Sequence, residues 1–85
     1  MLKISYMESM DNARTLRLDG QVIGPWVEEL RNVCERLLSE GKRLTLDLAG
    51  VSFIDREGVS LLWSLAARQV GLINRSRFVA EQLRG

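Results

Sequence analysis

A single two-layer α/β domain, with a mixed four-stranded sheet carrying helices mainly on one face, is the fold class that the sequence predicts for residues 1–85. Three observations carry it: short runs of period-two alternation, two longer segments of helical periodicity, and their interleaving in the order ββαβαβα. Length sets the scale, because 85 residues support one hydrophobic core and not two. A composition of 46% hydrophobic and 27% charged residues is that of a folded domain and excludes a disordered or collagen-like chain.

The elements follow in order. Leu2, Ile4 and Tyr6 alternate with Lys3, Ser5 and Met7, which predicts a half-buried strand over 2–7. Ser9, Asp11 and Asn12 are turn-prone, and Leu16 and Leu18, separated by Arg17, resume the alternation as the second arm of a hairpin. Gly20 and Gly24 are expected to bracket a short loop, with Pro25 opening a helix whose φ its ring presets. Trp26, Val27, Leu30, Val33, Cys34, Leu37 and Leu38 fill an arc of roughly 140° on that helix. Arg31–Glu35 and Arg36–Glu40 are spaced for pairing on its polar side, and Gly41 stops it.

Residues 43–48 alternate strictly, with Thr45 and Asp47 opposite the leucines. A strand entered from a crossover helix lies parallel to its neighbour, and this alternation leaves one face of the sheet partly wet. Asp55 is a natural N-cap for a second helix over 56–69. Its apolar residues Val59, Leu61, Leu62, Trp63, Leu65, Ala66 and Ala67 spread over roughly 240°, more than one core face needs. The surplus edge, Leu61 with Leu65, is either covered by the rest of the domain or offered to a partner. Residues 71–74 suffice for a short fourth strand, and Ser76 caps a last helix in which Val79 and Leu83 recur four apart beside Phe78.

Several function classes are excluded by what the chain lacks. It has no histidine and a single cysteine, Cys34, so no catalytic triad, internal disulfide or His/Cys metal set can be built. Neither G-x-G-x-x-G nor a P-loop occurs. Cys34 falls in the buried arc, where an apolar setting makes a thiol inert. The one enzyme hypothesis to retain is a metal-dependent reaction on Asp47, Asp55 and Glu57; no catalytic residue and no cofactor are otherwise expected. Net charge is −2 over residues 1–55 and +3 over 56–85. That asymmetry is too small for a nucleic-acid footprint, and Arg75, Arg77 and Arg84 read as solvated surface. The start, MLKISYM, lacks the parts of a signal peptide, and no long apolar run occurs, so a cytoplasmic chain without membrane insertion is expected.

From Leu44 to Leu62 the sequence LTLDLAGVSFIDREGVSLL resembles the central motif of the STAS family: an apolar strand ending in Asp-Leu, an apolar-x-Phe-apolar-Asp turn, two variable positions, then Gly-apolar-x-x-Leu. The resemblance implies the ββαβαβα fold, no catalysis, and a protein-binding role like that of the anti-sigma-factor antagonists. In those proteins the position before the glycine is usually a Ser or Thr that a kinase phosphorylates, whereas here it is Glu57. A carboxylate supplies part of a phosphate's charge without its geometry and cannot be switched by phosphorylation. Ser52 and Ser60 do not occupy the motif position.

Three readings of Glu57 stand open: it favours the positive helix start, it mimics the phosphorylated state permanently, or it joins Arg56 in a surface for another partner. The expected contact surface comprises the turn Asp55, Arg56, Glu57 and Gly58, then Leu61, and the loop Ile23 and Gly24. Gly58 leaves room either for an incoming protein or for the neighbouring loop. The resemblance implies an anti-sigma factor or kinase as partner; the alternative is an accessory subunit of an ABC-type lipid transport complex. The broad apolar arc and the open sheet face add self-association as an expectation.

Overall fold

The computed structural model describes residues 1–7 and 11–84, and the hairpin turn expected around Ser9 lies partly outside them. Strand β1 (Leu2–Met7) runs antiparallel to β2 (Ala13–Val22), with Ile4 opposite Leu18. Helix α1 (Pro25–Ser39) leads to β3 (Arg43–Ile54), parallel to β2 with Leu16 beside Leu46. Helix α2 (Arg56–Ala67) leads to β4 (Gly71–Ile73), parallel to β3, and α3 (Arg77–Arg84) follows. Among the described residues the sheet has four strands in the order β1-β2-β3-β4, the mixed sheet that the sequence predicts.

Burial follows the pleat. Leu16, Leu18, Leu44, Leu46 and Leu48 lie on one face beneath the helices and are buried, whereas Arg17 and Lys3 on the other face are exposed and Thr45 and Asp47 are half-buried. Helix α1 adds Val27, Leu30, Cys34 and Leu37 to this core, and Pro25 stands at its start as expected. Ser76 Oγ accepts from the Val79 amide at 3.1 Å, capping α3, which buries Val79 and Leu83.

Four expectations are corrected. First, β3 continues to Ile54, well beyond Leu48. Its register against β2 slips between Arg17 and Asp19 and again between Gly20 and Gln21, each time with an extra residue on β3. Two bulges therefore turn inward spacing from two into three, so that Val51 and Ile54 join the core where simple alternation fails. Second, the longer pairing keeps β2 in the sheet to Val22, so Gly20 is a strand residue and the loop shrinks to Ile23–Gly24.

Third, of the two fates open to the surplus edge of α2, coverage by the domain is the one that holds, which corrects the placing of Leu61 in the contact surface. The helix packs on β3 with α1 and α3 on its flanks, leaving Leu61 at 2% and Leu65 at 1% exposure. Leu61 is thus a core residue and not part of a contact surface, and the broad arc gives no ground for self-association. Fourth, the two expected surface pairs on α1 do not form. Glu35 accepts from Arg68 across the helix pair at 2.6 Å, Arg31 pairs with Glu28 at 3.5 Å, and Arg36 donates to the Tyr6 hydroxyl at 2.7 Å. Glu35 and Arg36 thus take tertiary partners at hydrogen-bond distance in place of neighbours one helical turn away, while Arg31 pairs within the helix three residues back.

Leu46 is fully buried at the centre of this arrangement. Leu46→Ala is expected to cost about 2–5 kcal/mol in urea denaturation, through lost transfer energy and the cavity left behind. Ser5→Ala on the open face should stay within about 0.5 kcal/mol.

Candidate functional site

The turn between β3 and α2 is organised by one side chain. Asp55 takes an extended conformation at the N-cap, φ −85° and ψ −178°, and its Oδ1 accepts from the Gly58 amide at 2.7 Å. Its Oδ2 accepts from the Gly24 amide at 3.0 Å, and Gly24 is the N-cap of α1. Its own amide donates to the Val22 carbonyl at 3.1 Å. One residue therefore joins both helix starts to the end of β2. The pairing makes sense electrostatically, because a carboxylate is favoured where the positive ends of two helix dipoles meet. Gly24 sits at φ +51°, a backbone conformation that an L side chain resists and that lets its amide face the carboxylate.

Gly58 is buried, and a Cβ there would stand 2.5 Å from the Val22 carbonyl oxygen and 2.7 Å from Ile54 Cγ2. Of the two reasons considered for this glycine, the neighbouring segment is the one that occupies the space. Arg56 and Glu57, by contrast, are exposed on the first turn of α2, and neither side chain has a hydrogen-bond or ion-pair partner among the described residues. The rim thus separates into Asp55 and Gly58, which build the turn, and Arg56 and Glu57, which it displays beside half-buried Ile23 and exposed Gly24.

The far side of the rim holds residues whose role the sequence does not announce. Beyond Asp47 β4 no longer accompanies β3, and α3 takes over at the strand's end: Gln82 Oε1 accepts from the Ile54 amide at 3.2 Å and Gln82 Nε2 donates to the Ile54 carbonyl at 2.7 Å. The side-chain amide substitutes for a neighbouring strand immediately before the turn. Phe53 and Phe78 lie beside it with ring centroids 6.2 Å apart, each about half exposed. Trp63, one of the apolar residues of α2, is also about half exposed, with its indole N–H donating to the Leu83 carbonyl at 2.7 Å.

The retained metal hypothesis does not survive the geometry. Asp47 and Asp55 are eight residues apart along one extended segment, about 20 Å at the rise of a strand once the two bulges are allowed for, and too far to share an ion. Asp47 is committed elsewhere: its Oδ1 accepts from the Ala49 amide at 3.0 Å and from Asn74 Nδ2 at 3.1 Å. Those bonds, the backbone one foremost, hold its carboxyl below the usual carboxylate range.

In architecture the domain is of the kind found in anti-sigma-factor antagonists. It matches the structure of the anti-sigma factor antagonist SpoIIAA in its unphosphorylated form with a TM-score of 0.74, at 20% identity, over 96% of this chain and 82% of that one. A STAS-domain antisigma-factor antagonist from Rhodobacter sphaeroides matches with a TM-score of 0.68, at 20% identity, over 86% of each chain. The family model described as "Mlab, STAS domain" matches residues 6–84, and the chain belongs to the STAS family. Among curated proteins no match was found.

Two outcomes test this account. Asp55→Ala removes acceptors for two helix-start amides and is expected to cost about 1–3 kcal/mol in urea denaturation, more than the loss of a single cap. Burial, helped by Glu35 and opposed by Arg68, pushes the Cys34 thiol up to about 12. A disulfide reagent at pH 8 should therefore leave the folded protein unmodified and label it stoichiometrically in urea; rapid labelling of the folded state would contradict the burial. An unfolded thiol ionises near its ordinary value while the folded one stays neutral, so this group lowers stability as pH rises above about 9.

Proposed function

We propose that the chain is a non-enzymatic regulatory module that acts by docking a protein partner on the rim formed by the Asp55–Gly58 turn and the Ile23–Gly24 loop. The observation that carries this reading is the contrast within the turn. Asp55 and Gly58 are fully engaged in holding two helix starts together, while Arg56 and Glu57 are held out on the rigid platform with no partner among the described residues. Displayed, uncommitted charge of both signs on a fixed backbone suits recognition of a complementary surface. With Glu57 in place of the Ser or Thr of anti-sigma-factor antagonists, docking is not controlled by phosphorylation at this position.

The first partner class is an anti-sigma factor or its kinase, in the bacterial cytoplasm, with transcription as the process regulated. A second reading makes the chain an accessory subunit of an ABC-type lipid transport complex. A carboxylate that never turns over favours it, since a permanent subunit needs no switch.

Affinity purification from the protein's own lysate, with wild type beside Glu57→Arg and Arg56→Glu, tests the docking rim. A kinase-fold partner captured by wild type and lost in both variants supports the first reading, and an ATPase subunit with the same loss supports the second. Capture unaffected by both variants overturns the rim as the docking surface. Glu57→Ser, incubated with ATP and any captured kinase, gains one phosphate by mass spectrometry if the position retains the family's switch geometry. Glu57→Gln should change stability by no more than about 1 kcal/mol, the scale of a helix-start charge.

A further inference from the structure

At the end of the domain remote from Asp55, a groove of about 540 Å3 opens where α1 and α2 finish and β3 and β4 begin. Leu38 and Leu44 give it apolar lining, and Lys42, Arg43 and Arg68 surround it; among the described residues no carboxylate lines it. Its size falls within the range of small-molecule sites, roughly 300–1,000 Å3.

Its polar groups are largely uncommitted. Lys42 and Arg43 have no side-chain hydrogen bond or ion pair among the described residues, and neither do the Thr45 hydroxyl and the Gln69 amide that also face the groove. Arg68 gives Nη1 to Glu35 at 2.6 Å, which leaves further N–H donors on its guanidinium. Cations near helix C-termini commonly serve the last free carbonyls, but here backbone donors serve four of them. Leu37 accepts from the Glu40 and Lys42 amides, Leu38 from Gly41, Leu65 from Arg68 and Val70, and Ala66 from Gln69. The cationic side chains are therefore not consumed in capping.

We propose that this groove binds a phosphate-bearing ligand, with Lys42, Arg43 and Arg68 taking the phosphate oxygens and Leu38 and Leu44 beneath an attached apolar portion. A guanidinium matches phosphate geometry bidentately and an ammonium supplies a point charge. Three cations, one partly neutralised by Glu35, balance the nearly two negative charges of a phosphomonoester and more than match the single charge of a phosphodiester headgroup. The phosphate belongs either to a soluble monoester or to a lipid headgroup. The site is separate from the docking rim and does not depend on it.

The test follows amide resonances of the full chain during titration with inorganic phosphate, glycerol 3-phosphate, and chloride at matched ionic strength. Sedimentation with phosphatidylcholine vesicles, with and without phosphatidylglycerol, forms a second arm. The expected result is saturable shifts confined to residues 42–45 and 68–71, absent with chloride, and a dissociation constant raised about tenfold in Lys42→Gln/Arg43→Gln. Arg43→Gln alone, an exposed substitution, guards against misfolding of the double variant and should weaken binding in the same direction. Response to glycerol 3-phosphate alone assigns a soluble ligand; binding to phosphatidylglycerol vesicles alone, lost in the variants, assigns a headgroup. Shifts reproduced by chloride, binding unchanged in the variants, or no saturable response in either arm would each overturn the proposal.

Discussion

The Asp55 carboxylate receives the Gly58 amide on one oxygen and the Gly24 amide on the other, while the Asp55 backbone is hydrogen-bonded to Val22. Everything displayed on the rim depends on this junction. Without the second bond, the starts of α1 and α2 would be related only through the pairing of the strand ends behind them and the Asp55 amide on Val22. Without glycine at position 58, α2 could not sit against the Val22 carbonyl, and the carboxylate would not reach both amides. The backbone that carries the exposed pair Arg56 and Glu57 is held in place because its neighbours on either side are spent on this contact.

Strand β3 delivers Asp55 to that position, and it does so through irregularity. A regular strand through residue 54 would alternate its inward side chains by two, pointing Val51 and Ile54 to opposite faces. The two bulges bring both inward. The strand's free side would still lack a partner after Asp47, because β4 pairs only with Thr45, Leu46 and Asp47. Gln82 of α3 supplies one donor and one acceptor to Ile54, so the last helix supports the turn without touching it. A buried backbone amide and carbonyl left unpaired at this point would be costly, which gives α3 a role beyond adding Val79 and Leu83 to the core.

What could be read from the sequence follows the range of the interactions. The first strand, the start of α1 and the Asp55 and Ser76 caps are decided by contacts within a few residues, and all appear where the pattern places them. The second half of β3 was hidden because a bulge removes the period-two signal on which strand recognition relies. An apolar arc shows how much surface is buried but not how many neighbours bury it, so Leu61 reads as contact surface in the sequence and is core in the fold. The second Asp55 bond spans 31 positions, and Gln82 reaches back 28, distances over which a single sequence carries no local signal. The candidate site was therefore legible as a cap and a displayed pair, and illegible as a junction.

The topology also gives the domain two electrically different ends. Helices that connect parallel strands run against them, so α1 and α2 both start where β2 and β3 finish, and both finish where β3 and β4 begin. Their positive ends meet at the rim, where the sequence places Asp55 and Glu57. Their negative ends meet at the groove, where it places Lys42, Arg43 and Arg68. At the rim one carboxylate is consumed by the helix starts and the other is left over. At the groove, backbone donors already serve the helix carbonyls, and the cations are left over. In each case the fold accounts for part of the charge, and the remainder is what the molecule offers to its surroundings: a single carboxylate beside an arginine at one end, and a concave cluster of cations at the other.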